Sequence, residues 1–418
     1  MKRLSRSLAS LVAAGALIAF ITFAAACAHA PSLEGRWDAT VTVNGSVIPF
    51  RLDISGKGAD LTGTLYNGDQ KQTTTSARIE NDKLTLEFGH YLTKIIATPK
   101  DGELEGKVQL GGDKDTAGNA FRAKRSAPAA ASAANVPSID GLWIIPHDSP
   151  KGEKAWRFIV KQNGAEVSAA ILRVDGDTGA LTGTYQDGRF VLGHFDGSRP
   201  LRLEVTQAAD GSLELLQAGG GPRQGKLTAY RVDVARAKGL PEPADFNAHT
   251  TVRDPKEPFK FSFPNIDGKL VSNTDERYKN KVIIAVVTGT WCPNCHDEAQ
   301  YLVQLYKKYH DKGLEIVALD FEEPEQRDEL ARAKAFIRKY GVEYQYLIAG
   351  APAQMWEKVP QAVNLNTWPA TFFIGRDGLV KKIHAGFAAP ASGEFHRQLK
   401  EEFTSTVESL LAEQVASK

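Results

Sequence analysis

The amino-acid sequence predicts a multidomain protein of 418 residues, in which two duplicated antiparallel β modules, each a small sandwich or barrel, precede an α/β domain. Three observations carry that expectation. Short alternating apolar runs with turn residues between them occur twice over, an Ala/Pro-rich stretch divides the two sets, and after residue 258 buried strands begin to alternate with helix-patterned segments. The expected divisions are an apolar leader over 1–30, modules over 31–126 and 138–236, linkers over 127–137 and 237–257, and the α/β domain over 258–418.

Lys2, Arg3 and Arg6 precede apolar residues 8–26, the pattern of a secretory signal. Two processing sites follow. Ala28-His29-Ala30 has the small-x-small form of ordinary cleavage, but Pro31 comes next and its restricted backbone disfavours it. Ala24-Ala25-Ala26-Cys27 resembles a bacterial lipobox, so Cys27 is expected to become a lipidated N-terminus that tethers the chain to the membrane, facing the periplasm. A soluble periplasmic chain and an uncleaved signal anchor are the alternatives. Apart from Cys27 the only cysteines are Cys292 and Cys295, a usage that avoids mispairing in an oxidising compartment. With 51 basic against 50 acidic side chains, the charge points to no nucleic-acid partner.

The modules echo one another. Ser32-Leu33-Glu34-Gly35-Arg36-Trp37 returns as Ser138-Ile139-Asp140-Gly141-Leu142-Trp143, Leu61-Thr62-Gly63-Thr64 as Leu181-Thr182-Gly183-Thr184, and Phe121-Arg122-Ala123 as Tyr230-Arg231-Val232. The outer pairs keep nearly one offset while the middle pair is displaced, which places extra loop in the second copy around 148–152 or 175–179. In the first copy strands are expected at 37–43, 48–54, 61–66, 84–88 and 104–110, with Asn44-Gly45 and Asn67-Gly68-Asp69 as hairpin turns. The Gly-x-Trp opening and arginine-bearing end resemble the lipocalin-like barrel, and that resemblance implies a tryptophan stacked on a late arginine. Trp37 and Trp143 are expected in the core rather than around a ligand. His90 and His194 lack a second ligand at metal spacing, so no metal site is expected.

Proline-rich residues 239–243 and 254–258 interrupt regular structure. Beyond them, 259–263 and 269–272 read as a hairpin, 282–288 as a buried strand and 297–310 as an amphipathic helix. A parallel strand over 314–319, a helix over 324–340 stopped by Gly341, a hairpin of 370–374 with 379–384, and a terminal helix over 394–411 complete the order βαβα followed by ββα.

Trp291-Cys292-Pro293-Asn294-Cys295 lies between the 282–288 strand and its helix. The spacing sets two sulfurs one helical turn apart, with Cys292 at the helix N-terminus, where a thiolate is stabilised. Only a thiolate attacks a disulfide, so Cys292 is the expected nucleophile and Cys295 its resolving partner, the two closing as a redox disulfide. A structural zinc site would need a second C-x-x-C or paired histidines, and no cofactor is called for.

The strand, Trp-Cys-x-x-Cys, helix, parallel strand and helix, followed by Thr367-Trp368-Pro369-Ala370-Thr371-Phe372-Phe373 and its Asp-Gly turn, resemble the thioredoxin fold. Within it they resemble the TlpA/ResA-like thiol–disulfide oxidoreductases, over about residues 258–411. The resemblance implies a cis peptide before Pro369, a substrate groove shaped by Trp291, Pro293, Trp368 and Pro369, and a proton-handling role for Glu298. The buried aspartate of thioredoxin itself has no counterpart, because Val286 stands in its place. His296 is read either as positive charge near the thiolate or as an exposed side chain without a role.

These readings converge on an exported, membrane-tethered oxidoreductase that reduces disulfides of envelope proteins through Cys292 and Cys295 and is recharged by an upstream electron donor. The alternative is an envelope interaction protein whose β modules recruit partners, with auxiliary reducing or oxidising activity. A thiol peroxidase of the same fold needs threonine three places before its cysteine, and Gly289 stands there.

Overall fold

Period-two alternation builds the first half of the molecule. In this computed structural model the strand Gly35–Val43 buries Trp37, Ala39, Val41 and Val43 on one face, then turns at Asn44-Gly45 into Ser46–Ser55. Both turn residues have positive φ, at 50° and 77°, the conformation for which Asn-Gly is preferred in two-residue hairpins. The structure describes residues 32–111, 117–127, 135–220, 225–326 and 329–413, and those from Glu34 on make one compact unit. The apolar leader with Cys27, and most of the Ala/Pro linker, lie outside the described residues. No helix among the described residues is long and apolar enough to cross a membrane.

The first module is a nine-stranded antiparallel sheet with edge strands Gln70–Thr73 and Ser76–Glu80. Those edges are consecutive in the chain. At the bend between them the Thr74 amide bonds Gly63 O and the Thr75 amide bonds Glu87 O, so one bent segment serves both sides of the sheet. The second module closes fully: eight strands run from Gly141–Pro146 to Gly225–Arg231, and Ala155–Asn163 pairs with Glu166–Arg173 to seal the ring. Closure removes exposed edges, and Trp143, Phe158, Phe190, Leu192 and Leu203 fill the interior.

Each module is pinned where its first and last strands meet. Trp37 lies opposite Arg125 with the guanidinium 4.1 Å from the ring centroid, and Trp143 lies opposite Arg231 at 3.9 Å. The arginines also donate to Glu34 O and Asp140 O respectively. The counterpart of Arg231 is therefore Arg125 rather than Arg122, which pairs with Thr40 and points outward. The modules pack side by side, with the Asn67 side chain both donating to Phe195 O and accepting from its amide, each at 3.0 Å.

The α/β part has a five-stranded sheet in the order Gln345–Gly350, Leu314–Phe321, Val282–Thr288, Ala370–Ile374, Val380–Ala385; the first three are parallel and the rest antiparallel. Helices Pro293–Tyr309, Ala331–Tyr340 and Glu394–Ala412 share one core with the sheet through Leu302, Phe336 and Phe403, while Phe259, Phe261 and Met355 cover the other face. Three details differ from expectation. The parallel edge strand Gln345–Gly350 has no place in βαβα–ββα. The second helix begins at Ala331, not 324, because Leu330 at φ +52° cannot belong to a right-handed helix. Within 237–257, read as a linker, Thr251–Val252 pairs with Ala362–Val363.

Trp143 is 1% exposed and its indole donates to Ile139 O at 2.9 Å. Trp143→Ala is expected to lower stability by about 3–5 kcal/mol, read as a shift of the urea midpoint at unchanged slope; a loss below about 1 kcal/mol would show that the pin does not hold the barrel.

Candidate active site

The strand Val282–Thr288 is buried along its whole length and delivers the chain to the motif at the C-terminal edge of the sheet. Gly289 is required there, because a Cβ would lie 2.5 Å from the Trp291 indole nitrogen. Thr290 is held from two directions: its amide and hydroxyl both donate to the Glu322 carboxylate, and Arg332 donates to its hydroxyl at 2.9 Å. Arg332 also pairs with Glu322 and Glu323, each at 2.9 Å. Trp291 donates to Phe321 O at 2.9 Å and sets its ring 5.1 Å from that of Trp368.

Cys292 is the N-cap of the helix Pro293–Tyr309, with proline at the first helical position, where its missing N–H costs nothing. Both cysteines are free thiols and both are buried. The Cys292 thiol donates to Trp368 O at 3.5 Å. The peptide between Trp368 and Pro369 is cis, and Pro369 O in turn accepts from the Gly386 amide at 2.8 Å. Burial taken alone would push the Cys292 thiol up, but the hydrogen bond with Cys295 and the Arg199 guanidinium outweigh it and hold the thiol below its ordinary value. Burial pushes Cys295 well up, and the neighbouring Cys292 sulfur adds to the rise. The two sulfurs are thus driven apart in acidity, as a nucleophile and a resolving thiol require.

Glu298 lies one helical turn beyond Cys295, 1% exposed, and accepts a hydrogen bond from the Thr371 hydroxyl. With Cys295, Thr288, Tyr344 and Tyr346 it lines a closed pocket beneath the motif. Burial, partly offset by Thr371 and reinforced by Cys292, raises its carboxyl to about 8. A second buried acid went unread in the sequence: Asp320 lies in register with Thr288 on the adjoining strand and is pushed well up by burial and by Glu322.

His296 fits neither expectation. It is 1% exposed, bonded through Nε2 to Thr290 O at 2.7 Å and through Nδ1 to Tyr340 at 2.9 Å, and burial lowers it to about 3, so it stays neutral. Its ring lies 4.3 Å from Tyr91 of the first module, beside a fully buried His90. His194, also buried, bonds Ala180 O and lies 3.7 Å from Asp196.

The β modules reach the motif itself, which nothing in the sequence signalled. Asn294 donates to Asp175 O at 2.7 Å. Pro293 and Asp297 share a polar cavity with Gln70 of the first module and with His194, Asp196 and Arg199 of the second, so Pro293 faces the modules rather than an open groove. These residues lie too far away in sequence for any local pattern to associate them with the cysteines. No group of histidine, cysteine or carboxylate side chains among the described residues is placed to hold a metal ion.

The AhpC/TSA family model matches residues 256–383. The thiol-disulfide oxidoreductase ResA of Bacillus cereus is 32% identical over 129 residues, 31% of this chain and 68% of that protein. ResA of Bacillus thuringiensis is 31% identical over 125 residues, 30% of this chain and 65% of that protein, so the chain spans somewhat less than two thirds of that relative's length. Among solved structures, a thiol:disulfide interchange protein of the thioredoxin family from Chlorobium tepidum aligns over 39% of this chain and 100% of its own, at 22% identity and a TM-score of 0.30.

Because the Glu298 carboxyl moves from an ordinary 4.5 to about 8, the folded protein holds one proton more than the unfolded chain between those values. Its contribution to stability is complete below the lower value and is lost as pH rises through the upper one, at up to about 1.4 kcal/mol per pH unit. Glu298→Gln should remove that slope from the difference between wild-type and variant stability over pH 4.5–8; parallel pH profiles would place the carboxyl in water instead.

Proposed function

Because this chain belongs to the family of ResA-like thiol–disulfide oxidoreductases, we propose that it reduces disulfides of exported proteins through Cys292 and Cys295. The observation that carries this reading is the opposed acidity of the two buried sulfurs at one helix N-terminus, Cys292 lowered and Cys295 raised. The Cys292 thiolate attacks one sulfur of a substrate disulfide; that S–S bond breaks and its second sulfur leaves as a thiolate, which takes up a proton. Cys295 then loses its proton and attacks the Cys292 sulfur of the mixed disulfide. The substrate leaves as a dithiol, and Cys292 and Cys295 remain as a disulfide carrying the two-electron oxidation. Glu298, protonated near pH 7 and lining the same pocket as Cys295, is the group assigned to proton handling: it supplies a proton while neutral, and the carboxylate so formed receives the Cys295 proton. Trp291, Trp368 and Pro369 are assigned to the groove in which the substrate chain lies beside Cys292.

The remaining assignments rest on the sequence. Cys27 is proposed as the lipidated N-terminus in a periplasm-facing setting, with an upstream donor returning the pair to the dithiol form. The two β modules are proposed as duplicated copies, supported by the matched Trp–Arg pins and the shared pairing of first and last strands.

Cys292→Ser should abolish reduction of a protein disulfide such as that of insulin, while Cys295→Ser should accumulate a mixed disulfide held by Cys292, seen by mass spectrometry. A reductant should equilibrate near about −270 mV, and a value close to about −120 mV would reverse the direction assigned. Cys27→Ser should release the protein from the membrane fraction, and unchanged membrane association would remove the lipid anchor from the proposal.

A further inference from the structure

Cys292 is only 4% exposed, although a substrate sulfur has to approach it along the line of the bond being broken. The second module reaches the residues around it, contacting Asn294 two places on and Gly386 beside Pro369. The hairpin that follows Glu166–Arg173, through Val174, Asp175, Gly176 and Asp177, leaves the barrel wall and lies against the first turn of the motif helix and the loop after Val380–Ala385. Asp175 O accepts from the Asn294 side chain at 2.7 Å. The approach is too close for side chains: a Cβ on Gly176 would sit 2.4 Å from Phe387 O, and one on Gly386 would sit 2.3 Å from Val174 O. Both glycines have positive φ, +113° and +70°. At the far end Ser392 donates to Asp177, both fully buried. The first module adds a brace, with Lys339 donating to Thr73 O at 2.8 Å.

The same Gly386 is bonded to Pro369 O, so the hairpin borders the groove assigned to the substrate chain. An added strand needs about 4.8 Å beside its partner, and here the hairpin backbone already stands in contact with the groove loop.

The two stretches that the sequence offered as alternative places for extra loop in the second module, 148–152 and 175–179, both reach this contact. Residues 175–179 contain part of the hairpin, and from 148–152 Lys151 pairs with Asp175 at 3.1 Å and accepts from Asn366 at 3.2 Å.

We propose that the second barrel gates the dithiol, its Val174–Asp177 hairpin closing the groove over Cys292 until it withdraws to admit a protein disulfide. This regulation rests on the reading of Cys292 as the exchanging thiol. Around the hairpin tip the contact is made by a few hydrogen bonds and close backbone approaches, with Leu172 at its base packed among Phe387, Ala388 and Ala389, so the base serves as the hinge and the tip as the part that opens.

The test is the rate at which a polyethylene-glycol maleimide modifies Cys292 in the full chain carrying Cys27→Ser and Cys295→Ser, so that one thiol remains. With the hairpin intact the rate should fall at least about tenfold below that of a free cysteine peptide, and Gly176→Val or Ser392→Ala should each restore at least about tenfold of reactivity. A free-thiol rate in the otherwise unaltered chain overturns the gate without recourse to either variant. So does a protected rate that neither variant changes while circular dichroism reports the native fold. Insulin reduction is read separately, in the Gly176→Val chain with all its cysteines: absence of reduction there although Cys292 has become reactive sinks the reductase reading and leaves the gate, whereas reduction by an otherwise unaltered chain whose Cys292 is unprotected does the reverse.

Discussion

Water is kept from the first turn of the helix Pro293–Tyr309, and the chemistry of the site follows from that exclusion. Cys292, Cys295, His296 and Glu298 are all nearly inaccessible, so no charge placed among them can be screened by solvent. Such a region accommodates one negative charge far more readily than two. The hydrogen bond with Cys295, then Arg199 and the helix N-terminus, place that charge on Cys292, and the same burial keeps Cys295 and Glu298 protonated and His296 neutral. A single cause separates nucleophile, resolving thiol and proton-handling acid.

Holding the motif rigid falls to groups that never meet the sulfurs. Glu322 and Arg332 form a buried ion pair whose hydrogen-bonding capacity is directed at Thr290, immediately before Trp291. A buried pair of this kind contributes little net stability, since desolvation offsets attraction, but it fixes a geometry because losing either partner leaves an uncompensated charge. Asp320 adds a further protonated acid below the motif, on the strand next to the one where thioredoxin carries its aspartate.

The β modules enter the same account. The interior of the second is packed with aromatic and aliphatic side chains, and the Trp–Arg pins join the first strand of each module to its last. Their outer loops supply Arg199 and Asp175, and the edge strand Gln70–Thr73 supplies Gln70, to the surroundings of the motif. The modules therefore contribute to the electrostatics of the dithiol as well as to its access, a role invisible while they are considered as separate domains.

Much of this was legible along the chain. Alternation with Asn-Gly turns marked the antiparallel modules, the apolar run at 282–288 marked the central strand, and the C-x-x-C marked a thiol pair, because each depends on residues close together in the chain; Pro369 and Glu298 were assigned only through the resemblance to the TlpA/ResA-like family. The start of the second helix slipped because Leu330 takes a left-handed conformation that its identity does not announce, and the edge strand Gln345–Gly350 was missed. Arg122 was chosen over Arg125 because strand register is settled by pairing across the whole module. Burial of His296 and Cys292 could not be read at all. The chain determines locally which atoms can do the chemistry, but how far water, a second charge or a substrate can approach them is a sum over contacts from remote segments. Only the folded molecule, with the barrel hairpin lying on the motif helix, decides that sum.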